Sequence, residues 1–336
     1  MKRHGNLFDK ITSADNLRLA YEKARRGKSS MRNVQRFERD VDGNLERIRR
    51  SLLDGTFTTS GYQVKKIHEP KERDIYVLPF APDRIVQHAV MNILEPIWDA
   101  LFIDDSYACR TGKGIHAGSL RTMEFVRRYR YVLKCDIAKF YPSIDHDVLY
   151  EIVRRKIKCP GTLRLLRDII YSAPGGKNAP IGNYTSQWFC NLYLNELDQL
   201  VKHHYKVAGY LRYCDDFCLF HDDKRVLREL AEELRLFLAD RLKLTFSRCE
   251  VFPVSHGVDF LGYRHFRNYI LVRKSTATRV KRRLAKLPGL LAAGEITEEQ
   301  YRSSIASTRG WLKWANTHNL SVALELDRLT ETRDAA

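Results

Sequence analysis

Residues 210–220 read Tyr210-Leu211-Arg212-Tyr213-Cys214-Asp215-Asp216-Phe217-Cys218-Leu219-Phe220. Two short apolar, aromatic runs flank a pair of adjacent acids, the pattern of two buried strands joined by a tight turn. Asp is disfavoured in such strands, and plain folding gives no reason for a doublet. Two carboxylates about 4 Å apart repel by roughly 4 kcal/mol at an effective dielectric near 20. An acidic turn facing water is the bland alternative. A pair of divalent cations is the alternative that offsets the charge.

A second acidic strand end favours the cations. Tyr131-Val132-Leu133-Lys134-Cys135 predicts another buried strand, ending at Asp136. Asp145, further on, precedes the helical spacing of Val148, Leu149, Ile152, Val153 and Ile157, so it reads as an N-cap. Asp136 has no such duty. One carboxylate on one strand and two on a hairpin form a minimal cage for two Mg²⁺ ions, which take few carboxylates together with waters and substrate phosphates. The all-oxygen set also suits Mn²⁺. Such a pair activates an attacking hydroxyl and stabilises the leaving oxygen in phosphoryl transfer.

Composition points to the same substrate class. The 336 residues carry 58 Lys and Arg against 41 Asp and Glu, a formal charge of +17. That excess suits a polyanion, nucleic acid first, although a membrane surface or a ribosomal setting also uses basic chains. Seven scattered cysteines without a C-x-x-C pair predict reduced, mostly buried thiols and no zinc site. No apolar run approaches the roughly 20 residues of a membrane span, and Met1-Lys2-Arg3-His4 opens no signal peptide, so a cytoplasmic protein with no membrane partner is expected.

Outward from the two acidic strand ends, residues 1–60 predict a basic helical extension. Tyr62 to Leu78 is extended, with Lys65, Lys66, Lys71 and Arg73 among Val64, Ile67, Ile75 and Val77, either a phosphate-gripping ribbon or an ordinary solvated strand face. Asp83-Arg84-Ile85-Val86-Gln87 opens a helix, and Tyr107 to Ser119 reads as a Gly-rich loop in which Arg110 and Lys113 supply charge. That loop lacks the spacing of a P-loop. A long helix follows Gly182, with Thr185 or Ser186 as its cap, and another spans Lys224 to Leu242. Leu244-Thr245-Phe246 reads as a strand and residues 257–264 as a hairpin. From Arg264 to Lys286 there are nine Lys and Arg and no acid, a run that suits phosphate contact better than a merely solvated face.

In this order the motifs resemble those of a reverse transcriptase, from about Tyr62 to Arg264. Tyr213-Cys214-Asp215-Asp216 is similar to the family's Tyr-x-Asp-Asp box, and Asp136 takes the place of its first catalytic aspartate. The resemblance implies an α+β right-hand polymerase, with fingers and palm over residues 61–265 and a basic helical thumb over 266–336. It implies that Asp136, Asp215 and Asp216, with the Ile137 carbonyl, hold two Mg²⁺ ions. Lys71, Arg73, Arg84 and Arg110 are expected near the triphosphate or template. Tyr141 matches the aromatic gate that clashes with a ribose 2′-OH. Ile181, Gly182 and Gln187 fall beside the nascent base pair.

One departure narrows the resemblance. Most reverse transcriptases carry Gln-Gly and then Ser-Pro where this chain has Ile181-Gly182-Asn183-Tyr184-Thr185-Ser186-Gln187. That pattern is similar to the enzymes of diversity-generating retroelements. These copy a template-repeat RNA into cDNA with errors at adenines and work with a small basic accessory protein, which can be oligomeric. The alternatives are another small prokaryotic enzyme (retron-like, antiphage or group II intron-derived) and a non-catalytic RNA-binding protein on the same fold. For a catalyst the implied partners are template RNA, nascent cDNA and dNTPs, with template removal and target nicking expected from other proteins.

Overall fold

The computed structural model describes residues 3–68, 72–324 and 326. Its centre is a four-stranded antiparallel sheet built from β3 (Tyr131–Ile137), β4 (Gly209–Tyr213), β5 (Asp216–His221) and β6 (Phe246–Pro253), in the order β4-β5-β3-β6. A two-stranded ribbon, β1 (Gln63–Ile67) with β2 (Arg73–Val77), stands apart from it. A small three-stranded sheet joins β7 (Val258–Phe260), β8 (Tyr263–His265) and β9 (Ile270–Val272).

Alternation along the central strands sends residues to two cores. Leu133, Cys135, Phe217 and Leu219 join the main core, with the helices Ile85–Asp99, Tyr184–Gln199 and Lys224–Leu242. Val132, Cys218 and Phe220 join a smaller core against Phe125 and Val126 of the helix Ile115–Arg128 and Phe260 of β7. Asp136 and Asp216 are opposite each other in the β3–β5 register, so both project on the smaller core's side, at the open end of the sheet.

The N-terminal residues form the helices Phe8–Ile11, Ala14–Arg25, Arg32–Glu38 and Val41–Leu53, whose apolar faces join the main core. The second lies on Ile85–Asp99, where the Asn16 side chain donates to the Ala89 carbonyl at 3.0 Å. Past β9, helices Lys274–Ala292 and Glu298–Leu312 close a third small core around Leu284, Leu287 and Ile305. Trp311 then stacks on Tyr263 of β8 at 4.7 Å, fastening this terminal unit to the small sheet.

Three local expectations change. The loop after Tyr107 ends at Gly114, whose φ of 111° serves the start of helix Ile115–Arg128, so Ser119 is helical. The glycines around Lys113 hid that start. Helix Tyr184–Gln199 is capped by neither Thr185 nor Ser186. Its Tyr184 N–H donates to Gln87 Oε1 of the adjacent helix at 2.9 Å, so tertiary contact replaces a local cap. The strand expected at 244–246 begins at Phe246 and runs to Pro253, paired along β3. The Asp145 cap, in contrast, forms as its sequence predicts, accepting from Val148 N at 3.1 Å.

Candidate active site

The β4–β5 turn is built for display. Cys214 takes a left-handed φ of 57°, which turns the chain in two residues and leaves Asp215 and Asp216 at the tip. Asp136, one residue before the end of β3, lies directly across from Asp216. The three carboxylates therefore share one sheet end without any contribution from distant loops.

Each carboxylate is restrained differently. Ser247 Oγ donates to Asp136 Oδ2 at 2.5 Å. Lys134 Nζ lies 3.3 Å from Asp216 Oδ2 and also bonds the Asp259 carbonyl of β7. Asp216 Oδ1 is buried and has no hydrogen-bond partner. Burial pushes the Asp216 carboxyl up to about 6, with Lys134 pulling it down and Asp136 and Asp215 pushing it up. Asp215 is raised as well, by burial first and by Asp136, while Arg73 of β2 draws it down. A buried carboxylate oxygen without a partner, among three acids whose charges repel, fits a divalent cation. Among the described residues no three acidic, imidazole or thiol groups already form a finished cage. Asp136 and Asp216 are instead engaged by Ser247 and Lys134.

The remaining expected site residues distribute unevenly. Arg73 is exposed on β2 and close enough to Asp215 to act on its charge. Tyr141, half-buried, sits five positions past Asp136 with its hydroxyl 3.7 Å from Cys214 Sγ. The Ile181 carbonyl accepts from Tyr76 N at 2.7 Å, which seats the Ile181-Gly182 loop on the ribbon. A Cβ on Gly182 would lie 2.3 Å from the Tyr76 carbonyl oxygen, so glycine is required there. Gln187 is exposed on the first turns of helix Tyr184–Gln199. Arg84 is half-buried, and burial lowers its pKa. Lys71 lies outside the described residues.

The Arg110 side chain is taken up by its own loop and by Asp99. Its guanidinium bonds Asp99 Oδ1 at 2.6 Å and the carbonyls of Ile103 and Ser106 at 2.6 and 3.0 Å, with the side chain 8% exposed. An arginine so enclosed braces its own loop. Sequence reasoning also missed Lys134, Ser247 and Arg212. Lys134 and Arg212 did leave a signal, as charged residues inside apolar strands.

A cavity of about 550 Å³ opens from Tyr213 and Asp216 toward Gly262, Arg279, Arg283 and Trp311. Beyond it the helix Lys274–Ala292 presents Lys274, Arg279, Arg282, Arg283 and Lys286 along a wider groove. Acidic site and basic wall thus adjoin, an arrangement suited to metal chemistry on a phosphate polymer.

The chain is similar to known proteins. Residues 65–265 match the family described as reverse transcriptase (RNA-dependent DNA polymerase). Protein YkfC of Escherichia coli (strain K12) is 26% identical over 274 residues, 66% of this chain and 71% of that protein. The group II intron-encoded protein LtrA of Lactococcus lactis subsp. cremoris is 28% identical over 171 residues, 47% of this chain and only 28% of LtrA. Apo telomerase from Candida tropicalis superposes with a TM-score of 0.50 at 12% identity, over 66% of this chain and 50% of that one, a likeness of fold alone. The family match takes in both acidic strand ends and most of the ribbon: this chain belongs to the reverse transcriptases, the RNA-dependent DNA polymerases, and has their α+β right-hand fold.

Proposed function

We propose that Asp136, Asp215 and Asp216 are the catalytic carboxylates with which this chain extends a primer 3′ end on an RNA template. The observation that carries the proposal is the Asp136–Asp216 register across β3 and β5, with Asp215 at the same turn and Asp216 Oδ1 unpartnered. The three side chains and the Ile137 carbonyl would hold divalent ions, Mg²⁺ by preference. Bound there, the ions would favour the attacking alkoxide and neutralise charge on the departing pyrophosphate. The primer 3′-oxygen attacks the α-phosphorus, the bond to pyrophosphate breaks, and the hydroxyl proton passes to water.

The other residues bind and sort. Arg73, on the ribbon beside Asp215, is assigned to the triphosphate. Lys71, two positions before it, is assigned there from sequence alone. Arg84 and Gln187 are assigned to the template side. Tyr141 is assigned to exclusion of the ribose 2′-OH, and Ile181 with Gly182 to the floor under the nascent base pair.

Primer extension on RNA with Mg²⁺ and dNTPs tests the assignment, beside an Asp215→Asn variant. Extension lost in the variant is expected. As an independent readout, Mg²⁺ should raise the Tm of the wild type and not of the variant. An active Asp215→Asn enzyme rejects the assignment.

We further infer that the enzyme is of the diversity-generating type, copying a template-repeat RNA with errors at adenines beside a small basic accessory protein. The support is the Ile181-Gly182-Asn183…Ser186-Gln187 pattern, which places an apolar Ile where most of the family has Gln. A group II intron-derived enzyme is the second reading, favoured by the similarity to LtrA. Sequencing of extension products separates the two. Errors concentrated opposite template adenine, reduced by Ile181→Gln, support the first reading. Accurate copying favours the second.

A further inference from the structure

Beneath the Asp215–Asp216 turn lies a charged network that the reaction above does not use. Arg212 of β4 and Asp198 of helix Tyr184–Gln199 are both 0% exposed. Arg212 Nε donates to Asp198 Oδ1 at 2.8 Å and Nη2 to Asp198 Oδ2 at 2.6 Å, a two-pronged pair. The remaining nitrogen, Nη1, donates to Asn191 Oδ1 at 3.1 Å and to the Cys214 carbonyl at 3.0 Å. Tyr210 OH donates to Asp198 Oδ1 at 2.6 Å, and Asn191 Nδ2 to the Ala108 carbonyl at 2.8 Å. Asn191 and Asp198 are seven residues apart on one helix, two turns, and so share its face.

Fold stability is a weak reason for this arrangement. A desolvated ion pair is often replaceable by apolar residues of similar volume without loss. What an apolar pair cannot supply is a donor to the Cys214 carbonyl. Cys214 is a non-glycine residue at φ 57°, a conformation that L-residues adopt rarely and that surrounding structure must hold. Its carbonyl begins the peptide that leads into Asp215. The planar guanidinium reaches a helix carboxylate and that carbonyl at once, which a single ammonium does less well.

We infer that Arg212 is a positioning residue that locks the catalytic turn to helix Tyr184–Gln199 and so sets the placement of Asp215 and Asp216. The inference rests on the assignment of those two aspartates to catalysis. Misplacement of a reacting group by about 1 Å can cost about 10²-fold in rate.

The test uses the full chain in RNA-templated extension. In the triple variant Arg212→Met, Asp198→Leu, Tyr210→Phe, the charges and the hydroxyl leave together, so only the Asn191 amide oxygen and the Cys214 carbonyl lose a donor. Expected are a Tm close to wild type, unchanged affinity for primer–template, kcat lower by about 10- to 100-fold and KM for dNTP changed by less than about threefold. The Mg²⁺ concentration for half-maximal rate should rise. Arg212→Lys, which keeps the charge beside Asp198, should fold and show an intermediate kcat. A folded triple or Lys variant with wild-type kcat overturns the proposal. So does failure of Arg212→Lys to fold, which would assign the network to folding. Asp215→Asn run alongside keeps the two ideas separate: if it remains active, the catalytic assignment fails, whatever Arg212 does.

Discussion

The molecule contains two hairpins with opposite logic. In β4–β5 nearly every side chain is buried, and the charges sit at the tip or are paired beneath it. In β1–β2 all five residues of β1 are exposed, Val64 and Ile67 at 53% and 40%, and the charges are spread along the strands. The first hairpin is held by the protein and presents a fixed constellation. The second has almost no core of its own, so its exposed lysines beside Val64 and Ile67 fit a surface that other molecules complete. A polymerase needs both: carboxylates that do not move relative to each other, and a basic surface that yields to a long substrate.

The contrast fails if charge at the rigid tip is dispensable. Asp216→Asn should lower kcat by on the order of 10³-fold, the equivalent of several kcal/mol of transition-state stabilisation. Single-turnover extension measures it. A loss of tenfold or less would mean that the tip displays charge without using it.

Where the ribbon meets the loop before helix Tyr184–Gln199, the contrast sharpens. The Tyr76 N–H of β2 bonds the Ile181 carbonyl, and Gly182 leaves no room for a side chain against the Tyr76 carbonyl. Gly182 also has φ 125°, so Gly182→Ala combines a clash with backbone strain. About 1–3 kcal/mol of destabilisation is expected, seen as a Tm several degrees lower, with kcat/KM for dNTP reduced about tenfold or more. An alanine variant with wild-type Tm and kcat/KM would show that this seam does not fix the ribbon.

A smaller effect separates the tip from the ribbon by pH. Burial raises Asp216 to about 6 from an ordinary 3.8, so between those values the folded state holds a proton that the unfolded state lacks. Its carboxylate therefore costs stability above about pH 6, and that cost fades as the pH falls through 6. A divalent ion relieves the same cost. The rise in Tm on adding Mg²⁺ should be full at pH 7.5 and shrink as pH falls below about 6. A rise constant from pH 8 to 5 would remove Asp216 from the ion's ligands.

The sequence disclosed the rigid hairpin far better than its surroundings. Asp215-Asp216 between aromatic strands, Asp136 after Cys135 and the Asp145 cap are local signals, and each depends on neighbours within a few residues. A basic residue in a Gly-rich loop, such as Arg110, looks free in the sequence, whereas its guanidinium is enclosed. Only the folded path of the preceding 11 residues turns Asp99 and the two carbonyls onto it. The partners of Lys134 and Arg212 were hidden for the same reason. Asp216 is 82 residues from Lys134, and Asp198 reaches Arg212 from the far end of a helix. Charged residues inside predicted strands were the readable hint, without a readable partner.

The least dramatic change bears on the other side of the comparison. Lys65→Ala with Lys66→Ala removes two exposed charges from β1, where Lys66 pairs with Glu72 at 3.5 Å across the exposed surface. Such a pair contributes little in water, so the Tm should stay within about 1 °C. If the ribbon grips phosphates, primer–template or dNTP affinity should fall a few-fold at low salt. The slope of log affinity against log salt should also flatten by about one or two, one for each phosphate that a lysine no longer neutralises. At high salt the variant and wild type should converge, and kcat at saturating substrate should not change, because the carboxylate tip is untouched. An unchanged salt slope would reduce β1 to an ordinary solvated strand, leaving the basic wall of helix Lys274–Ala292 as the principal phosphate surface.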